Sequence, residues 1–273
     1  MRSVILWFCL IMISGCYSLS HVQQFTTEAT ETLAQGIDLE PTFYDVCQQR
    51  QRIEILQDGT LTSGFQEGCQ LQQQADSTAL KIHIALMDYL VGLHQLASSG
   101  RSGPSLAPLG SALQAHPWLE EQGDAVAAYQ ELAQLSLTGI TERSRRKKAR
   151  EFIAQANEPL QTLLGAYEFA IGDLLIESIK RQQQMSYMYT RELLDSAQSF
   201  IERRTLIEEY MDQSIVYDEQ QQHLQQFVNV LKTIGAGHEE LYQQRSDLQQ
   251  QEAIESLYYY TSQLQRMQLL SNF

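Results

Sequence analysis

The amino-acid sequence predicts an all-α fold: an elongated helical bundle with long, antiparallel, coiled-coil-like C-terminal helices. Three observations carry that prediction. Helix breakers are scarce, with 15 Gly and 5 Pro in 273 residues, while Gln, a good helix former, occurs 37 times. Residues 160–234 contain no Pro and only Gly165 and Gly172. Within that stretch Leu160, Leu164, Tyr167, Ile171, Leu174, Met185, Tyr189, Leu193, Phe200, Ile207 and Tyr210 fall on one face of a helical wheel. Helices this long must bury their stripe against one another.

Composition narrows the function classes. A chain that is 43% hydrophobic and 19% charged is too apolar to be disordered and long enough to build a core. With 19 bases against 33 acids, a net charge of −14 disfavours nucleic acid as a partner. The one long apolar run lies at the N-terminus, so no interior membrane span is expected.

Residues 17–35 are polar and suit a short helix or a tether. A break at 36–41 precedes a short helix over 42–56, ended by Asp58-Gly59, and a Gly-rich loop over 59–68. Asp76-Ser77 offers an N-cap for a helix to about Ala97, with Leu80, Ile84, Met87, Val91 and His94 at helical spacing. Residues 98–110 form a loop, and a short piece over 111–115 is cut by Pro117. Asp124 caps a helix to about Leu137 that places Val126, Tyr129, Leu132 and Ala133 on one face; Gly139 ends it. A helix comes next over 141–156, and Asn157-Glu158-Pro159 restarts one, since Asn suits the N-cap and Pro the first turn.

In the long stretch, Leu224, Val228, Leu231 and Ile234 lie roughly 95° from the first stripe, and heptad drift explains only about 40° of this. A break is therefore predicted between 211 and 219, near Asp212 to Asp218, with Asp218 capping the next helix; a single curved helix is the alternative. Gly235-Ala236-Gly237 reads as a stop. A last helix over 238–270 carries Leu241, Leu248, Leu257, Leu264 and Met267. Three consecutive phenols, Tyr258 to Tyr260, span about 200° of that helix, so at least one faces solvent or a partner.

The N-terminus carries the sharpest signal. Arg2 supplies a minimal positive region, and residues 4–13 are an apolar run too short to span a bilayer. Ile13-Ser14-Gly15-Cys16 comes directly after it, with small residues ahead of a nucleophilic thiol. The segment resembles the signal peptide and lipobox of bacterial lipoproteins, although Ile13 stands where that family most often has Leu. The resemblance covers residues 1–16 and implies cleavage before Cys16, which becomes the acylated first residue, carrying palmitate-like chains. Tyr17, where the family's inner-membrane signal is Asp, implies the outer membrane, facing the periplasm. Two or three acyl chains at about 0.8 kcal/mol per buried methylene would hold the chain firmly. The organisation expected is a signal peptide over 1–15, a lipidated tether over 16–40, a shorter-helix part over 41–139 and a long-helix bundle over 140–273.

Cysteine usage fits that address. Cys9 leaves with the leader and Cys16 is lipidated, so Cys47 and Cys69 remain as a pair, expected as a disulfide in an oxidising compartment. Two free buried thiols are the alternative.

Catalytic and metal signatures are weak. The sequence holds no Gly-x-Ser-x-Gly, P-loop or dinucleotide fingerprint. His83 and His94 share a helix face, a spacing that suits a ligand but equally two core histidines. Glu219 and His223 lack the repeated Glu-x-x-His of a di-iron bundle, and His238-Glu239 lacks the second His of a zinc protease. No catalytic residue, metal or cofactor is expected. Arg143, Arg145, Arg146, Lys147, Lys148 and Arg150 concentrate six of the 19 bases in eight residues. They form a candidate patch for an anionic partner, or else a solvated face paired with acids of a neighbouring helix. The expectation is a non-catalytic envelope lipoprotein, anchored to the membrane and acting as a helical scaffold or adaptor for an envelope protein. The alternative is a periplasmic ligand-binding or inhibitory, immunity-type helical module.

Overall fold

A computed structural model describes residues 19–59, 67–98, 125–134 and 145–271. Among them there are helices and no strands, as expected: α1 Ser20–Ala34, α2 Phe43–Asp58, α3 Gln70–Ala97, α4 Ala125–Gln134, α5 Arg145–Phe169, α6 Ile176–Ser196, α7 Phe200–Gln243 and α8 Gln251–Ser271. Short 3-10 turns occupy Gln35–Asp38 and Glu67–Cys69, and a π-helical turn, Ala170–Leu175, joins α5 to α6 without a break. The leader, the lipobox with Cys16, the loop beyond Ser98, the Asp124 cap and Arg143 lie outside the described residues.

Of the two readings of residues 17–35, a short helix or a tether, the helix is found: Ser20–Ala34 is a packed helix, so the tether expected over 16–40 does not extend through it. Val22, Phe25, Ala29 and Leu33 of α1 are fully buried, at the 3.6-residue spacing that lays one face on α3 and α8. The capping box of α2 matches its sequence signature: Thr42 accepts from Asp45 N–H, and the Asp45 carboxylate reaches back to the Thr42 N–H at 2.9 Å. Gly59 closes that helix in the left-handed region, φ 65°. Cys47 and Cys69 are disulfide-bonded, their Cα atoms 5.9 Å apart, tying α2 to the start of α3.

Asp76 is not the N-cap of α3, which starts six residues earlier. Its carboxylate instead accepts from Phe43 N–H (2.8 Å) and Tyr44 N–H (3.0 Å), capping α2 from the side. The face of α3 expected inside is also corrected. Leu80 is exposed, while Ile82, Leu86, Leu90 and Leu93 are buried. α3 lies between α1 and α5 and packs on α2 and α4 as well, so a wide arc is covered rather than one stripe. In α4, Ala128, Tyr129 and Leu132 face the core and Val126 packs partly against it.

The restart at Asn157-Glu158-Pro159 is corrected too: α5 runs through Pro159. Proline cannot bond the Gln155 carbonyl, but Ala156 and Leu160 are fully buried on either side and tertiary packing holds the helix. Farther along, neither the break between 211 and 219 nor the single curved helix matches the path of the chain. It turns at residues 197–199, where Ala197 is extended (ψ 127°) and Ser199 caps α7 by accepting from Glu202 N–H at 3.1 Å. α7 then continues through Asp212, Asp218 and Gly235-Ala236-Gly237 to Gln243. The glycines are close-packing positions: a Cβ on Gly237 would lie 2.4 Å from the Phe25 ring, and the Gly235 carbonyl accepts from Gln161 Nε2 at 2.8 Å. The stop falls instead at residues 244–250, so the last helix is Gln251–Ser271 rather than 238–270. One core spans the boundary expected at 139/140, drawing on residues from Leu19 to Leu264.

Candidate functional site

Three regions of the bundle concentrate chemistry: its two ends and a polar network in its core. Internal contacts fix which elements meet at each end. α6 and α7 run antiparallel from the turn at 197–199, joined by Gln183 with Ser214 and Asp218 (3.2 and 3.0 Å), and by Ser186 with Gln213 (3.0 Å). At 1.5 Å per residue, the 44 residues of α7 carry the chain about 66 Å away from that turn. Its far end, with the adjoining turn at 244–250, meets two other segments. His21 lies against the Leu248 backbone and α1 packs along α8, which starts just beyond this turn, while Gln243, Arg245 and Ser246 line an open groove with Arg150, Glu151 and Ala154. The start of α1 and the basic start of α5 therefore share one end, and the α6–α7 hairpin forms the other.

The basic run is presented outward by its own helix. Ala149, Phe152, Ile153 and Ala156 are buried at i, i+3, i+4 and i+7. That register leaves Arg146, Lys147, Lys148 and Arg150 exposed. Lys147 and Lys148 meet a carboxylate of the same helix, Glu151, at 3.7 and 3.8 Å, in pairs whose side chains are largely in solvent. Such pairs contribute little.

The hairpin end is apolar outside and polar within. Phe200 and Ile201 are 80% and 76% exposed, and Tyr187, Met188, Ile207, Met211, Ile215 and Val216 are also exposed. The helical wheel placed Phe200 and Ile207 on the buried stripe. The reversal at 197–199 and the amide contacts between the helices leave them unpartnered instead. Beside the hairpin a groove of about 410 Å³ lies against α2, lined by Arg52, Ile53, Leu56, Tyr189, Tyr210 and Gln213 among others. A half-open groove of about 320 Å³ has an apolar floor of Leu39, Phe227, Val230 and Met267, with His223, Gln226 and Glu40 on its rim.

The histidines are structural in their surroundings. His83 is buried against Tyr167 and Phe227, its Nδ1 3.4 Å from the Tyr167 hydroxyl and its Nε2 without a partner. Burial lowers it to about 4. His94 meets Thr26 and Thr27 at 3.4 and 3.2 Å, partners that His83 does not share. Among the described residues no cluster of His, Cys, Asp and Glu could hold a metal.

His238, read in the sequence only as a fragment of a protease motif, is the centre of a buried chain of hydrogen bonds. The Tyr89 hydroxyl lies 2.5 Å from Nε2, and Asn157 Oδ1 is 3.0 Å from Nδ1. Asn157 Nδ2 donates to Glu239 at 3.0 Å, and Gln243 donates to the other Glu239 oxygen. Burial lowers His238 to about 3 and raises Tyr89 well above the usual phenol range. The ring is therefore neutral, with Tyr89 donating to Nε2 and Nδ1–H donating to Asn157. The arrangement locks α3, α5 and α7 at one level. Of the three consecutive phenols, Tyr258 and Tyr259 are exposed on α8, while Tyr260 packs against the core. Compared with protein-family models, curated proteins and solved structures, the chain matches none.

Proposed function

We propose that the chain is a non-catalytic lipoprotein of the bacterial envelope, anchored through Cys16 and acting as a helical scaffold that carries an apolar hairpin away from the membrane to a protein partner. One observation carries this reading. The contact of His21 with Leu248 puts the start of the folded chain at the end of α7 opposite the exposed Phe200, Ile207 and Met211. The lipobox spacing and the disulfide agree with export, and no helix among the described residues is long and apolar enough to cross a membrane. A lipid on Cys16 supplies the attachment that the helices do not.

Metabolic labelling with an alkyne fatty acid tests the anchor: the wild type is marked and Cys16→Ser is not. Equal labelling of the two refutes it. Crosslinking in intact envelopes tests the adaptor role. A partner captured by the wild type is lost when Phe200, Ile207 and Met211 are changed together to Gln, and capture that survives the triple change contradicts it. The half-open groove at Leu39, Phe227 and His223 favours the second reading, a ligand-binding or inhibitory module. Native mass spectrometry showing a retained small molecule, lost in Phe227→Ala, would select it.

A further inference from the structure

We infer that the basic start of α5 is a second membrane contact: an interface for anionic lipid headgroups that works beside the lipid on Cys16. The inference rests on the anchored reading for its geometry, and it is carried by where the end of the bundle lies relative to Cys16.

Three residue steps lead from Cys16 to Leu19, the first described residue. At most about 3.6 Å each, they reach roughly 10 Å. An acylated Cys16 sits at the bilayer surface, so the end of the bundle that holds Leu19 and His21 is held close to the headgroups. That end also holds the start of α5, through the groove shared by Arg150, Glu151 and Arg245 and the contact of His21 with Leu248. The Debye length is about 8–10 Å at physiological ionic strength. Arg146, Lys147, Lys148 and Arg150 thus lie on the end of the bundle held nearest the headgroups, where an anionic surface is least screened from them.

Charge distribution favours lipid over a protein acid. The run from 143 to 150 holds six of the 19 bases and no acid, so the remaining 13 bases face all 33 acids. The body is strongly negative and is repelled by an anionic surface, while this one end is attracted. Glu151 meets both Lys147 and Lys148, and the adjoining turn and start of α8 carry Arg245 with Asp247, Glu252 and Glu255, so the positive charge at this end is concentrated in the run itself. The run is a compact basic cap on an acidic body, at the end of the bundle that holds the start of α1. A cap of this sign in this position sets orientation: lipid end down, hairpin end away.

Vesicle co-sedimentation tests it, with the chain starting at Tyr17. This form keeps every described core residue, all of which lie at Leu19 or beyond. It binds vesicles containing one-third phosphatidylglycerol at least tenfold more tightly than pure phosphatidylcholine, and raising NaCl from 0.1 to 0.5 M removes the difference. Changing Arg146, Lys147, Lys148 and Arg150 together to Gln abolishes anionic binding with helix content unchanged, because Gln keeps helix propensity. Glu151→Gln, which leaves the bases in place, strengthens binding and so tests the patch even if the quadruple variant folds poorly. Absence of binding, binding indifferent to the lipid charge, or no change in Glu151→Gln overturns the inference. Displacement by 10 mM inorganic phosphate also overturns it, in favour of a free-anion site. Because this form lacks Cys16, failure here leaves the labelling result for the anchor untouched.

Discussion

At the scale of single residues, His238 shows how the core fixes a proton. Its two ring nitrogens are both satisfied in the neutral form, with Tyr89 donating to Nε2 and Nδ1–H donating to Asn157, and complete burial penalises the charged ring. His83, also buried, has an unpartnered Nε2 that gains nothing from a proton. Both are lowered from 6.5, to about 3 and about 4. The unfolded chain therefore takes up protons first. The stability these groups contribute is present in full above about pH 6.5. It is lost as the pH falls from there through about 4 for His83 and about 3 for His238, at about 1.4 kcal/mol per pH unit for each. Urea midpoints should fall between pH 7 and pH 5, and His83→Leu should reduce that fall; a variant with the wild-type slope would remove His83 as a cause. Glycines give an opposed pair. Gly165 has open space around its missing Cβ, so Gly165→Ala should stabilise by about 0.5–1 kcal/mol through helix propensity. Gly237→Ala gains the same propensity but drives a methyl into Phe25, which is fully buried and cannot give way, and should lower the melting temperature.

Among the elements, the sequence marked most helices and misplaced their ends, for reasons that can be named. The capping box of α2 is local, and Thr42 with Asp45 declares it. Ser199-Phe200-Ile201-Glu202 carries the same kind of signal for α7 and locates the turn correctly; the helical wheel, which assumed one continuous helix, obscured it. The π-helical turn at 170–175 adds a further phase shift that an even 100° spacing does not contain. Gly235 and Gly237 looked like a stop because close packing against Gln161 and Phe25 is invisible in sequence. Asp76 resembled a local cap, and its real partners are more than thirty residues away. Cysteine pairing was legible because elimination left one pair. Closing a loop of 22 residues, that bond should stabilise by roughly 3 kcal/mol in the chain-entropy model. The Cys47→Ser/Cys69→Ser double variant should melt at lower temperature, and wild type in dithiothreitol should match it. A melting temperature indifferent to reductant would show that the crosslink does not support α2.

For the whole molecule, the candidate site was half visible. Six clustered bases and a resemblance to a lipobox can be read from the sequence, but not that the start of α1 and the basic start of α5 share one end. That depends on α1 folding back as a packed helix instead of trailing as a tether, and on α7 running unbroken for 44 residues. The exposed apolar hairpin was not legible at all, since its residues share the spacing of a buried stripe and only the antiparallel return along α6 leaves them outside. The most direct test of an anchored rod is fluorescence quenching by nitroxide-labelled lipid in anionic nanodiscs, on lipidated full chain labelled singly at Lys147→Cys or Gln198→Cys. Strong quenching at 147 and none at 198, some tens of ångströms away along α7, is the result expected. Equal quenching at the two positions, or quenching at 198 alone, would contradict an upright scaffold with its basic end on the membrane.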